Sequence, residues 1–306
     1  MRLSTAFRYE QSINNLQQRQ QELSTAQTQL TSGKRVNAAS DDPTAAARAE
    51  RALASIARAD ADQRAVDASR NAMTLAESGL GNAIDLMQTA RETLVAAGNG
   101  TYSQGEQEAL ATKLREIRKQ LVSVANQPDG GGGYVFGGKG STTAPFTETA
   151  GVVNFNGTAG EVLAASTEQI NLTMNGQKIW MEINRDLPAG PPEQFSLFTA
   201  LDDAIAGLEA GTNIVDTVTT GMARMDRALG QFQTARSQSG EMLNRLDGIE
   251  SRLSDGRLAA QSEKSNAEDL DMVRAISDFQ NKQTGYEAAL QSYASVQKMS
   301  LFQYIN

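Results

Sequence analysis

Residues 66–97 read VDASRNAMTLAESGLGNAIDLMQTARETLVAA, and a seven-residue repeat runs through them. Val66, Met73, Leu80, Met87 and Leu94 mark one position of the repeat, and Ser69, Ala76, Ala83, Ala90 and Ala97 each follow three residues later. Large apolar residues alternating with small ones at this spacing form a helix seam that lets a second helix come close. Ala-rich sequence continues upstream, so 44–97 reads as one helix of roughly 80 Å at about 1.5 Å per residue, ended by Gly98-Asn99-Gly100. That length describes a rod.

Downstream, Ser103 and Glu106 form a capping box for a shorter helix with the stripe Leu110, Leu114, Ile117, Leu121 and Val124, stopped by Pro128. Its short connection implies an antiparallel return. Residues 129–194 change character. Gly130 to Gly133 break the periodicity, and strands follow. The best hairpin signal is Asn175-Gly176 between the alternating runs Ile170, Leu172, Met174 and Ile179, Met181, Ile183. Pro188, Pro191 and Pro192 close this insert. Helical pattern resumes over about 195–210, ended by Gly211. A long helix follows with Val215, Val218, Met222, Met225, Leu229, Phe232, Leu243, Leu246 and Leu253 on one stripe. Arg236, Ser239 and Glu250 interrupt that stripe.

The two ends carry weaker seams. Tyr9, Ile13, Leu16, Leu23 and Leu30 fall at heptad spacing, with Gln20 and Gln27 between them. The last helix repeats the pattern with Met272, Ile276, Phe279, Gln283, Tyr286, Leu290, Tyr293 and Gln297. Helices with half-polar seams are marginal alone and call for a partner. The expected architecture is mainly α: an elongated rod of long antiparallel helices with coiled-coil terminal helices and a small inserted β-rich domain. Its expected parts are terminal helices at 1–40 and 265–306, a rod at 41–128 and 195–264, and the insert at 129–194.

Composition narrows the function. The 306 residues include 44 Ala and 25 Gln but no Cys and no His. Thiolate chemistry, imidazole bases and the common zinc sites are therefore excluded. A net charge of −8 with no basic run longer than two disfavours nucleic acid, and no apolar stretch is long enough to span a bilayer. The start lacks the apolar core of a secretory signal. Composition by itself points to the cytosol.

No catalytic, cofactor or metal site emerges. Gly133, Gly138 and Lys139 have the spacing of a phosphate-binding loop, but Gly140 replaces the required Ser or Thr and no helix start follows. Asp41-Asp42 beside Pro43 reads as a helix start. Asp202-Asp203 read as dipole-complementing residues early in a short helix, and Glu268, Asp269 and Asp271 as another helix start. Lys and Arg are scattered and read as solvated faces.

Gln29-Leu30-Thr31-Ser32-Gly33-Lys34-Arg35-Val36-Asn37 with Ser40-Asp41-Asp42-Pro43 resembles the N-terminal signature of flagellins and their relatives. Met1 to Thr5 and Ser300 to Ile305 are similar to the hook–filament junction members of that family, although Gln303 departs from the usual acidic residue or Asn. Tyr134 to Gly138 through Pro145-Phe146 resembles the family's entry into its variable domain. The resemblance implies a non-enzymatic axial protein exported unfolded through the flagellar type III apparatus, and so extracellular without a cleavable signal. It implies terminal segments that are unordered in the monomer and form a coiled-coil tube on assembly. The implied partners are other copies in a ring, an adjacent hook-associated protein, flagellin-side axial proteins, and an export chaperone on 265–306.

The residues expected at the assembly interface are Ile13, Leu16, Leu23, Leu30, Ile276, Phe279, Tyr286, Leu290 and Tyr293. The signature loop comprises Ser32, Gly33, Lys34, Arg35, Asn37, Asp41, Asp42 and Pro43. Two other readings remain open at this point: flagellin itself, and a cytosolic helical signalling module.

Overall fold

The computed structural model describes residues 2–164, 166–185 and 193–305; Met1, Pro188, Pro191 and Pro192 lie outside them. The elements in order are α1 (Arg2–Ser32), α2 (Pro43–Ala97), α3 (Gln104–Ala125), β1 (Phe146–Thr149), β2 (Val152–Phe155), a π-helical turn (Gln177–Met181), β3 (Ile183–Arg185), β4 (Glu193–Phe195), α4 (Leu197–Ala210), α5 (Ile214–Glu268) and α6 (Met272–Ile305). The fold is mainly α, as the periodicity predicts. Two compact units divide it: Met1–Ala59 with Asp255–Asn306, and Asp60–Ser254.

In the second unit the seam that opens the sequence reading is buried along its whole length: Val66, Ser69, Met73, Ala76, Leu80, Ala83, Met87, Ala90, Leu94 and Ala97 are all at most 2% exposed. The capping box closes as expected, with the Ser103 Oγ accepting from Glu106 N and the Glu106 carboxylate accepting from Ser103 N. Gly211 ends α4 in the left-handed region at φ 64°.

The predicted stripe of α5 holds at every second position and is rotated at the others. Val218, Met225, Phe232, Ser239 and Leu246 are buried. The other buried positions are Gly221, Ala228, Ala235 and Ile249, while Met222, Leu229, Met242 and Leu243 are only half-buried. Arg236 and Glu250 therefore do not interrupt the seam. They stand beside it and pair with Glu77 and Arg70. Ser239 lies inside, its hydroxyl donating to the Ala235 carbonyl and the Met174 sulfur.

The stretch 129–194 contributes to this same helical core. Trp180 is fully buried, stacked on Phe198 (centroids 5.9 Å apart, planes at 4°) and edge-on to Phe232, Phe136 and Phe146. The hairpin predicted at Asn175-Gly176 does not form. Strand alternation would send Ile179 and Trp180 to opposite faces, whereas both are buried here, and the chain winds into the π-helical turn instead. Gly176 is helical, at φ −61°, and a Cβ there would meet the Phe136 carbonyl oxygen, so close approach rather than turn chirality explains the glycine. The Gln231 amide on α5 donates to the carbonyls of Lys178, Ile179 and Glu182, satisfying acceptors that a π-turn leaves open. Among the described residues the strands are two antiparallel pairs, Phe146 to Thr149 against Val152 to Phe155, and Ile183 to Arg185 against Glu193 to Phe195.

Two arginines depart from the expected solvated faces. Arg118 is buried, with Nε 2.6 Å from Asp202 and further bonds to Glu148 and the Gly151 carbonyl. Arg224 pairs with Glu193 and Asp203 and lies over the Phe195 ring. Asp202 and Asp203 are thus not dipole-complementing residues. They tie α4 to α3 and α5, and through the same guanidiniums to β1–β2 and β4. Burial holds the Asp202 carboxyl above its ordinary pKa, against the pull of Arg118.

Candidate assembly surface

In the first unit α1 and α6 pack antiparallel, with Tyr9 meeting Tyr293 and Arg19 meeting Gly285. The Arg19 guanidinium occupies the space a Cβ at Gly285 would fill. The inner face of α6 runs through Ala275, Phe279, Lys282, Tyr286, Ala289 and Tyr293, all half-buried. On α1 it runs through Ser12, Leu16, Leu23, Ala26 and Leu30, with Ala26 the most buried of these.

The rotation seen in α5 therefore recurs. Gln20 and Gln27 are exposed; Ala26 takes the inward place beside Gln27, and Arg19, itself exposed, reaches across to Gly285. The nine residues expected at the interface accordingly divide into two sets. Ile13, Leu16, Leu23, Leu30, Phe279, Tyr286 and Tyr293 are half-buried in the pair. Ile276 is 47% exposed and Leu290 40%, and with Met272 and Val273 they leave apolar surface on the outside of α6. Sequence reasoning missed Val273, the most exposed of these, because it lies off the heptad.

The signature loop is an ordered clasp between the helix ends. Gly33 adopts φ +70° and its carbonyl accepts from Leu270 N. Arg35 N and Val36 N both donate to the Glu268 carbonyl, and Arg35 also donates from its guanidinium to the Ala267 carbonyl. Lys34 pairs with Glu268 at 3.2 Å, and Lys264 reaches the same carboxylate at the same distance. Ser32 accepts from Lys34 N, and the Asn37 amide donates to the Lys34 carbonyl. Asp41 accepts from Asn37 N and Ala38 N.

Asp42 caps α2, with Oδ1 accepting from Thr44 N and Ala45 N while Oδ2 takes Arg35; Pro43 is the first helical residue. The Ala45 N–H and then the Arg35 guanidinium hold the Asp42 carboxyl below its ordinary value. Both carboxylates of the pair are thus engaged by the chain itself. Glu268 does not begin a helix as expected: it is the last residue of α5, and Asp271 caps α6 by accepting from Val273 N and Arg274 N.

The glycine-rich loop of the second unit is likewise occupied. The Asp129 carboxylate accepts from Gly131 N at 2.7 Å and Gly133 N at 2.9 Å, closing the glycine-rich turn on itself. No helix starts after Lys139, whose N–H is bonded to the Thr158 carbonyl.

Family models for the bacterial flagellin N-terminal and C-terminal helical regions match residues 3–141 and 222–305. Flagellar hook-associated protein 3 of Salmonella typhimurium is 32% identical over 99% of both chains. A flagellin of Bacillus subtilis is 25% identical, over 82% of this chain and 81% of its own. The crystal structure of Xanthomonas campestris FlgL is alike in fold, with a TM-score of 0.61 at 21% identity, covering 71% of this chain and 99% of that one.

Proposed function

This chain belongs to the flagellar hook-associated protein 3 family, and we propose that it joins hook to filament by packing its terminal helices against those of neighbouring subunits. It is a structural component of the bacterial flagellum that associates with other axial components. Its full-length match to hook-associated protein 3 favours this reading over flagellin.

One observation carries the assembly role. The outer face of α6 keeps Met272, Val273, Ile276 and Leu290 exposed while the inner face of the α1–α6 pair is only half-buried. Apolar surface left at this level in a single subunit is covered when neighbours supply the other half. The interface set is Ile13, Leu16, Leu23, Leu30, Ile276, Phe279, Tyr286, Leu290 and Tyr293, and the pair completes its ordering on assembly. The clasp of Ser32, Gly33, Lys34, Arg35, Asn37, Asp41, Asp42 and Pro43 ties the end of α1 to the end of α5 and to the start of α2. The neighbours are other copies in a ring, a second hook-associated protein on the hook side and flagellin-side axial proteins. An export chaperone engages residues 265–306 beforehand, and no catalytic activity is involved.

Immunogold electron microscopy of intact flagella with antibody against residues 140–190 tests the location. Label confined to one point between hook and filament is expected. Label along the whole filament would make the chain a flagellin, and signal restricted to the cytosol would reopen the signalling reading.

A further inference from the structure

Three Asn-Gly pairs occur in the chain, Asn99-Gly100, Asn156-Gly157 and Asn175-Gly176, and the fold treats them differently. Asn99 and Gly100 are exposed in the turn between α2 and α3, where the Tyr102 N–H donates to the Asn99 backbone carbonyl at 3.1 Å. The Asn99 side-chain oxygen accepts twice from Thr101, from its N–H at 3.2 Å and from its hydroxyl at 2.9 Å. These bonds fold the side-chain amide back over the Gly100 peptide. Among the described residues the Gly100 N–H is bonded to no backbone carbonyl, and the space beside Gly100 is open. At the other two pairs the fold intervenes. The Asn156 amide nitrogen donates to the Thr147 hydroxyl across the β1–β2 pair, and a Cβ at Gly157 would meet the Phe155 ring and the Gly137 carbonyl. Asn175 opens the π-helical turn: its backbone carbonyl accepts from Ile179 N, its side-chain oxygen from Lys178 N, and Gly176 is buried.

We propose that Asn99 is a self-modification site, converting to aspartate and isoaspartate through a cyclic imide formed with Gly100. The Gly100 nitrogen gives up its proton to solvent base and attacks Asn99 Cγ, forming a C–N bond. The charge that develops on Oδ1 is met by the two Thr101 donors already bonded to it, as an oxyanion hole meets a tetrahedral intermediate. Collapse breaks the Cγ–Nδ2 bond, and that nitrogen takes up a proton and leaves as ammonia. Water then opens the ring. Attack at Cγ gives aspartate, and attack at the backbone carbonyl carbon gives isoaspartate, whose main chain runs through the side chain. The chain loses one ammonia and gains one water in all, with water the sole co-reactant. Either product adds one negative charge to the net −8, at the C-terminal end of α2 where the helix dipole disfavours it. The site lies within the Asp60–Ser254 unit, so the proposal depends neither on the junction role nor on the ordering of α1 and α6.

The test incubates the full-length chain in mildly alkaline buffer and follows the three Asn-Gly peptides by mass spectrometry, with isoaspartyl methyltransferase labelling to count isoaspartate. Conversion at Asn99 is expected to be about tenfold or more faster than at Asn156 or Asn175. In concentrated guanidinium the three rates should converge, since each asparagine then has the same glycine neighbour and no fold around it. Thr101→Val removes the hydroxyl donor and should slow Asn99 severalfold, and Thr101→Ser should restore the rate. Gly100→Ala should slow it too, because a methyl group hinders the nitrogen's approach while the open space beside Gly100 accepts it. Equal or faster conversion at Asn156 or Asn175 in the folded chain overturns the proposal, and so does a Thr101→Val chain that converts at the unsubstituted rate.

Discussion

Leu290 separates what a terminal helix contributes within its own subunit from what it contributes to a neighbour. Its 40% exposure means that roughly three-fifths of the residue is already covered within its own subunit. Full burial of a leucine stabilises by about 1.5–3 kcal/mol, so about 0.6–1.2 kcal/mol remains to be gained when a neighbour covers the rest. Leu290→Ala should therefore weaken each subunit contact by about threefold to eightfold. Leu290→Glu adds an unpaired charge to a surface that becomes dry, a penalty of several kcal/mol, and assembly should fail. Leu23, half-buried on the inner face of α1, should respond to Glu in the same direction.

Two measurements decide this prediction. Sedimentation of the concentrated chain, with rescue of flagellar assembly in cells lacking the protein, reports on the polymer. Hydrogen exchange at α2, α3 and α5 within residues 60–254 reports on the subunit. The expected result is lost assembly with unchanged protection in that unit. Normal assembly of Leu290→Glu refutes the reasoning, and so does an equal loss of protection at the buried Leu80–Leu114–Phe232 core.

Replacing Arg118 by Met should destabilise the second unit by about 1–3 kcal/mol, a range kept modest because Glu148 and Asp202 are exposed enough to rehydrate. Exchange at β1–β2 should rise most, and unchanged protection there would contradict the tie. The Asp42 cap predicts an acid response. Its folded pKa lies below the ordinary 3.8, so its contribution is present above that value and fades as pH falls through the lowered one. Amide exchange at Thr44 and Ala45 should accelerate in that window. Asp42→Asn should remove the pH dependence while keeping the cap, and Asp42→Ala should loosen the turn at every pH.

The α2 seam was legible because its large and small residues alternate at fixed spacing, leaving one way to face it inward. In α1, α5 and α6 a reading led by large side chains kept every second seam position and misplaced those between. Leu16, Leu23, Phe232 and Tyr286 were correct, but the inward partners are Ala26, Ala228, Ala235, Ala275 and Ala289. Small residues allow close helix approach, and that packing outweighs the larger apolar area of Met222, Ile276 or Leu290 one position along. The charged residues Arg236 and Glu250 carried a usable signal, since each has a partner of opposite sign on α2 that fixes the rotation. The failed hairpin has a different origin. Nothing local to Asn175-Gly176 announces that Trp180 will be drawn into a core assembled from Phe136, Phe146, Phe198 and Phe232. The clasp was legible as a motif and as an α2 cap, but its partner was not: the carbonyls of Ala267 and Glu268 carry no side-chain signature.

The Asp129 turn makes the glycine-rich loop self-quenched. Two amide donors converge there on a point that the chain fills with its own carboxylate. A foreign oxyanion would have to displace a tethered one whose local concentration no dissolved ion can match, and it would meet that carboxylate's negative charge on arrival. Exchanging Asp129 for a small neutral side chain would leave both amides to solvent, so a single acidic residue closes this stretch of backbone on itself.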